Sequence, residues 1–236
     1  MMFPSWVPRW STFSDIDAQP LPLTYTYDHR LKPYAAGGYG SAFAVHISSD
    51  YIISVTGSIV DVVAWTSLAL KVENLRSNVH LWKPRFRDSK LSAIETTWLS
   101  LLDQAEQSPE SLVSDLSLTV VRGHQTSSDY VQNFLAYCEL VRKLAGSEGD
   151  SPFPSPSPGE FSPSDGEWAL TRCRDRRIAY TANKRMALVP LVAEDEDVCC
   201  VVKGMATPVI LRPTSKDTYQ LVGDAYVNGI MNGELL

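Results

Sequence analysis

Four cysteines are scattered through the 236 residues, at 138, 173, 199 and 200, and none stands in a C-x-x-C pair. That excludes the commonest structural zinc sites and the thioredoxin-type redox motif. Cys199 and Cys200 are adjacent, and on a strand their side chains point to opposite faces, so they make poor partners for each other. The chain is also far longer than a disulfide scaffold. Free thiols in a reducing, cytoplasmic setting are the expectation. Histidine is equally sparse: His29, His46, His80 and His124 lie in separate segments with no H-E-x-x-H and no paired ligand spacing. There is no G-x-S-x-G elbow and no S-x-x-K, which removes the usual signatures of a serine nucleophile. Gly37-Gly38-Tyr39-Gly40 lacks both the G-x-G-x-x-G spacing and a P-loop lysine, and reads as a flexible turn. The acidic run Glu194-Asp195-Glu196-Asp197 lacks the spacing of a calcium loop. No catalytic, cofactor-binding or metal-binding residue is assigned, and no cofactor is expected.

A surplus of positive charge is missing too. Twenty-one Lys and Arg face 27 Asp and Glu, a formal net charge of -6, so a broad nucleic-acid surface is not expected. No long apolar run exists. The best stretch, Ile52 to Val72, is broken by Ser54, Thr56, Gly57, Ser58, Asp61, Thr66 and Ser67, which argues against a membrane span. Met1 to Trp6 carries neither a basic nor an apolar signal-peptide region.

What is present is a chain with 44% hydrophobic residues, ordinary for a globular protein. Residues 1–34 are rich in proline and aromatics. In Trp6-Val7-Pro8-Arg9-Trp10 the proline keeps Val7 extended, so the two tryptophans flank a rigid kink that pins an irregular arm to a core. Residues 35–63 read as a β-hairpin: Ala42 to Ile47 is β-prone, Ser48-Ser49-Asp50 is turn chemistry, and Tyr51 to Thr56 alternates. Gly57 marks a bulge or a close backbone approach before Ser58 to Val63. About three helices follow. Ser92 and Glu95 have capping-box spacing, Ser108-Pro109 is a helix start, and Tyr130, Phe134, Tyr137, Cys138, Val141 and Leu144 form one stripe.

Residues 147–167 change character abruptly. Five prolines stand among serines and acids, which predicts a disordered linker or insertion, with Ser151, Ser155, Ser157 and Ser162 each preceding a proline. Residues 168–236 predict an antiparallel β-meander: short strands at Ile178 to Thr181 and Met186 to Val189, then Asp197 to Lys203, Pro208 to Arg212 and Thr218 to Val227. The fold class is α+β. The N-terminal hairpin and the C-terminal meander form a sheet or partly closed barrel, with the helices as a central group. The expected divisions are 1–146, 147–167 and 168–236, with 168–236 packing against 35–63 as one domain.

Two places could host chemistry. In Arg172-Cys173-Arg174-Asp175-Arg176-Arg177 the guanidinium groups would lower the Cys173 pKa or bind a phosphate. No base accompanies the thiol, and a solvated boundary pairing with Glu194 to Asp197 is the simpler reading. Asp61 is the second.

Several spaced motifs resemble fungal heterokaryon-incompatibility (HET domain) proteins, in the region that follows the HET domain itself. Pro4-Ser5-Trp6-Val7-Pro8-Arg9-Trp10-Ser11 resembles the family's P-S-W-V-P-D-W-S. Tyr34-Ala35-Ala36-Gly37-Gly38, followed by Val55-Thr56-Gly57-Ser58-Ile59-Val60-Asp61, resembles A-S-G-G … V-x-G-x-x-x-D. Asp197 to Val201, Pro208 to Pro213 and Tyr219 to Glu234 resemble a G-D-x-V-C-V-L strand, an x-V-L-R-P strand and a Y-x-L-V-G-E-A-Y-V-H-G-I-M-D-G-E close. Glu196 stands where the family often has glycine, Asn228 where it often has histidine, and Asn232 where it often has aspartate. The resemblance implies association with non-self recognition and programmed cell death, and a chain lacking the upstream HET domain.

The expected function is therefore a non-catalytic regulatory or interaction region, truncated, with protein partners and no nucleic acid or membrane. Asp224, Tyr226 and the Gly229 to Glu234 turn then serve to close the β-structure. The alternatives are a small hydrolase or nucleotide-binding enzyme with a site near Cys173 or Asp61, and an inert degenerate paralogue.

Overall fold

The computed structural model describes residues 34–38, 45–47, 52–68, 70, 93–103, 109–123, 130–144, 169, 172–173, 175–215 and 217–235. The tryptophan arm, the Pro/Ser-rich segment 147–167 with its four Ser-Pro steps, the caps Ser92 and Ser108, and His29, His80 and His124 lie outside the described residues. The chain divides into two compact units, one formed by Met1–Ser67 with Arg176–Leu236 and the other by Leu68–Asp175.

The first unit is built on strands β1 (Val45–Ile47), β2 (Ile53–Val55), β3 (Gly57–Thr66), β4 (Arg176–Thr181), β5 (Met186–Pro190), β6 (Val198–Val202), β7 (Val209–Ser215), β8 (Thr218–Asp224) and β9 (Tyr226–Val227). β1 and β2 make a separate two-stranded hairpin, while the other seven form one sheet in the order β8-β7-β6-β3-β4-β5-β9. All its ladders are antiparallel. β3, far away in sequence, thus lies between β4 and β6. As expected, the C-terminal strands share one sheet with an N-terminal strand, which they accept into their centre. The fold is α+β, and the sheet is not closed into a barrel by its ladders.

Its two edges are nevertheless consecutive in the chain. The run Thr218 to Val227, expected as one strand, breaks at Ala225: β8 pairs with β7, and two residues later β9 pairs with β5. Ala225 itself turns inward with no exposure, its N–H donating to the Pro208 carbonyl at 2.9 Å. The cause of the break is visible two residues earlier. Gly223 has φ 153°, and a Cβ there would lie 2.8 Å from the Pro190 ring, so only glycine lets β8 approach the end of β5.

The larger buried cluster is shared by most of the sheet. Val63, Ala179, Val189, Cys199, Ile210 and Val227 belong to this one cluster, to which six strands contribute. β6, with all five residues buried, also carries Cys200 and Val202 in a second cluster with Val209 on the opposite face. A central strand covered on both faces reads as the continuous apolar run Val-Cys-Cys-Val-Val. Gly57, the expected close approach, opens β3: a Cβ there would meet the Val201 carbonyl oxygen at 2.8 Å.

The second unit contains α1 (Ala93–Asp103), α2 (Pro109–Val120) and α3 (Tyr130–Leu144). The aromatic stripe faces inward as its spacing predicts. Trp98 packs edge-on against Phe134 at 5.3 Å and Tyr137 at 6.3 Å between ring centroids, and Trp98, Tyr130 and Phe134 are fully buried. Pro109 is the first residue of α2, where its missing N–H is not needed.

Candidate functional site

Three aspartates carry the motifs singled out in the sequence, and each is held by an arginine from elsewhere in the sheet unit. Asp61, on β3, has a side chain only 1% exposed. Its Oδ2 accepts from Arg185 at 2.8 Å, and its Oδ1 accepts from the Val62 amide at 2.9 Å and the Asn183 amide at 3.2 Å. The Thr181 hydroxyl adds a further hydrogen bond, while accepting from the Arg185 amide at 3.0 Å. Burial pushes the carboxyl pKa up, but the hydrogen bonds from Thr181, Val62, Asn183 and Arg185 outweigh it, and the net direction is downward. An aspartate so held stays ionised and pins the β4–β5 turn, where Lys184 sits at φ 60°.

Asp197 is 2% exposed and closes the loop before β6. Arg212 of β7 grips it with both prongs, Nε to Oδ1 at 2.8 Å and a terminal nitrogen to Oδ2 at 3.0 Å. The Glu194 amide donates to the same Oδ2 at 2.9 Å, and Arg212 also reaches the Val192 carbonyl at 2.8 Å. This fork geometry is the strong form of the ion pair. It raises the Arg212 pKa, first through the hydrogen bonds that Arg212 donates to Asp197. The third tie joins Asp224, at the end of β8, to Arg176, at the start of β4: one guanidinium nitrogen donates to Oδ1 at 2.8 Å and another to the Asp224 carbonyl at 2.9 Å. Arg176 is 4% exposed, so this charge is nearly removed from water.

The expected pairing of the basic cluster with the acidic run is corrected by these contacts. Glu194 and Asp197 meet Arg212 instead, Arg176 meets Asp224, and Arg177 donates to the carbonyls of Leu191 at 2.7 Å and Ser67 at 3.1 Å. Alternation along β4 sends consecutive arginines to opposite sides, and a run of like charges in sequence is therefore not a patch in space. Arg172 and Cys173 belong to the helical unit. There Arg172 donates to the Val121 carbonyl and Arg122 to the Arg172 carbonyl. Cys173 has no exposed surface, and its thiol donates to the Val120 carbonyl at 3.7 Å. All four cysteines are free and buried, and burial pushes the thiols of Cys138 and Cys199 up to about 12.

His46 is exposed on β1, and nothing in the structure gives it a role. Gly37 and Gly38 form a turn, as expected, but a docked one: Gly37 is buried and donates to the Met205 carbonyl at 2.9 Å. The Gly229 to Glu234 turn follows β9, with Ile230 and Met231 buried.

Residues 164–236 match the Het-6 beta-barrel domain. Heterokaryon incompatibility protein 6, OR allele, of Neurospora crassa is 24% identical over 265 residues. The chain is therefore similar to heterokaryon-incompatibility proteins, through its C-terminal third and through this relative. The alignment covers 98% of this chain and 38% of the Neurospora protein, so the chain spans well under half the length of that relative. No solved structure matches. No helix among the described residues is long and apolar enough to cross a membrane.

The HET-like motifs now have a physical reading. The aspartate of V-x-G-x-x-x-D ties β3 to the β4–β5 turn. The aspartate of G-D and the arginine of L-R-P are the two halves of one fork. The acid of G-E/D-A-Y ties β8 to β4. The glycine that often precedes the second aspartate is explained as well: Glu196 adopts φ 73°, a left-handed conformation that costs a side-chain-bearing residue about 1–2 kcal/mol. Glu196→Gly is expected to raise stability by about 0.5–1 kcal/mol after the entropy loss of glycine is subtracted, read as a higher thermal midpoint; an unchanged or lower midpoint would contradict it.

Proposed function

We propose that this chain is a non-catalytic regulatory or interaction region of a heterokaryon-incompatibility-type protein that engages a protein partner in the cytoplasm, within the non-self recognition and cell-death response with which that family is associated. The observation that carries the reading is the fate of the motif carboxylates. Asp61, Asp197 and Asp224 are each held by an arginine, and hydrogen bonds keep Asp61 below the ordinary carboxylate range. A general base needs a pKa near the working pH and an open lone pair, and an aspartate held ionised inside a strand-to-strand tie supplies neither. The thiol that would serve an enzymatic alternative is buried and donates its proton to a backbone carbonyl.

Thiol profiling of the folded full chain tests this. Cys173 is expected to react with iodoacetamide at least about tenfold more slowly than free cysteine, because only the accessible thiolate is nucleophilic. Alkylation of Cys173 as fast as, or faster than, free cysteine would overturn the non-catalytic reading.

A further inference from the structure

Tyr34 to Gly38 is separated by almost two hundred residues from the C-terminal turn, yet it lies directly on it. The Ala35 amide donates to the Met231 carbonyl at 2.8 Å, and the Tyr34 ring sits 6.3 Å from that of Tyr226. The same five residues grip the β6–β7 turn. Ala36 donates to the Ala206 carbonyl at 3.1 Å, Gly37 to the Met205 carbonyl at 2.9 Å, and the Gly204 amide returns a bond to the Gly37 carbonyl at 2.9 Å. Gly37 is seated so closely that a Cβ would run into the Val202 carbonyl oxygen and lie 2.8 Å from the Met205 amide.

What this segment covers is the thinnest pairing of the large sheet. β9 joins β5 through two residue pairs, Ala187 with Val227 and Leu188 with Tyr226, whereas β4 joins β5 through five. One further bond, Asn228 to the Met186 carbonyl at 3.0 Å, extends it. Residues 225–231 bury Ala225, Tyr226, Val227, Ile230 and Met231, so they act as a strap that is held by packing more than by its ladder.

We propose that Tyr34–Gly38 is a clip that locks the C-terminal strap, residues 225–231, against β5, and that the strap and clip together form the one part of the sheet able to open while the β3–β6–β7 ladder stays paired. The proposal rests on the regulatory reading only for its use. Contacts or tension arriving along the chain from the N-terminal side of Tyr34 reach the clip before any other described part of the sheet. Releasing the clip frees the strap, and the strap then uncovers the β5 edge and the apolar cluster beneath it. Local opening of this kind occurs where few backbone bonds hold a segment, as a unit separate from global unfolding.

Hydrogen exchange of the full chain, followed residue by residue, tests the proposal with the variants Gly37→Val and Tyr34→Ala. Expelling or weakening the clip is expected to speed exchange at Val227, Asn228 and Leu188 by about five- to thirtyfold, the factor for one or two lost contacts. Exchange at Cys199 and Ile210 should stay within about twofold. If Gly37→Val does not fold, Tyr34→Ala alone decides. Equal acceleration across all the strands, or no acceleration at the strap, would overturn the clip. A reactive Cys173 would sink the non-catalytic reading and leave this exchange pattern untouched, so the two failures are distinguishable.

Discussion

Asp197→Ala is expected to lower the unfolding free energy by about 3 kcal/mol. Three hydrogen bonds end on this carboxylate, two of them charge-assisted from Arg212 and one from the Glu194 amide. The residue is 2% exposed, so water cannot replace it in place. Arg212 is about one-third exposed, at 32%; once released it rehydrates, which keeps the loss toward the lower end of the range for broken buried pairs. The Glu194 amide and the loop it anchors do not have that escape. Arg212→Lys should cost about 1 kcal/mol, because an ammonium cannot span both carboxylate oxygens. Urea denaturation with an unchanged slope gives both numbers. An Asp197→Ala loss under about 1 kcal/mol would mean that the fork does not hold β6 to β7.

The Asp224–Arg176 tie is expected to behave asymmetrically. Asp224→Ala leaves a guanidinium that is 4% exposed with the residue-224 carbonyl but without its counter-charge, and its Nε has no hydrogen-bond partner among the described residues. The expected loss is about 3 kcal/mol or more, the cost of an uncompensated buried charge. Arg176→Met removes charge and desolvation together and keeps the apolar stem, so it should change stability by less than about 1 kcal/mol. The double variant should resemble Arg176→Met and not the sum of the two. If Arg176→Met proved the worse of the single variants, the arginine would have to contribute something other than a partner for Asp224.

Much of the strand content was legible in the sequence because turn residues punctuate it. Gly204 and Asp217 mark the turns on either side of β7, and both have positive φ. The helical stripe was legible for the same local reason, an apolar repeat at helical spacing. Three things were not. The insertion of β3 between β4 and β6 is a long-range pairing, and alternation in β3 identifies a strand without naming its neighbours. The break at Ala225 is hidden because Tyr219 to Val227 keeps strand-like composition throughout, and only Gly223 hints that the backbone bends. The arginine partners were invisible since charge sign along a chain carries no direction: Arg176 and Arg177 are neighbours in sequence and face different groups in space. The family-like motifs pointed to the right aspartates while leaving open whether they do chemistry or hold strands together.

The central claim is that these aspartates are structural ties, and Asp61 tests it most directly since it is the one carboxylate also named for an enzymatic site. Its pKa in the folded chain can be followed by carbon-detected NMR of the side-chain carboxyl through an acid titration. The structure predicts a value below the ordinary aspartate pKa of 3.8, since the hydrogen bonds from Thr181, Val62, Asn183 and Arg185 outweigh burial. The stability that this shift contributes is then fully present above that ordinary value and is lost as pH falls through the lower folded value. A folded pKa raised well above 3.8, toward the range in which a carboxyl exchanges protons with a substrate, would contradict the account.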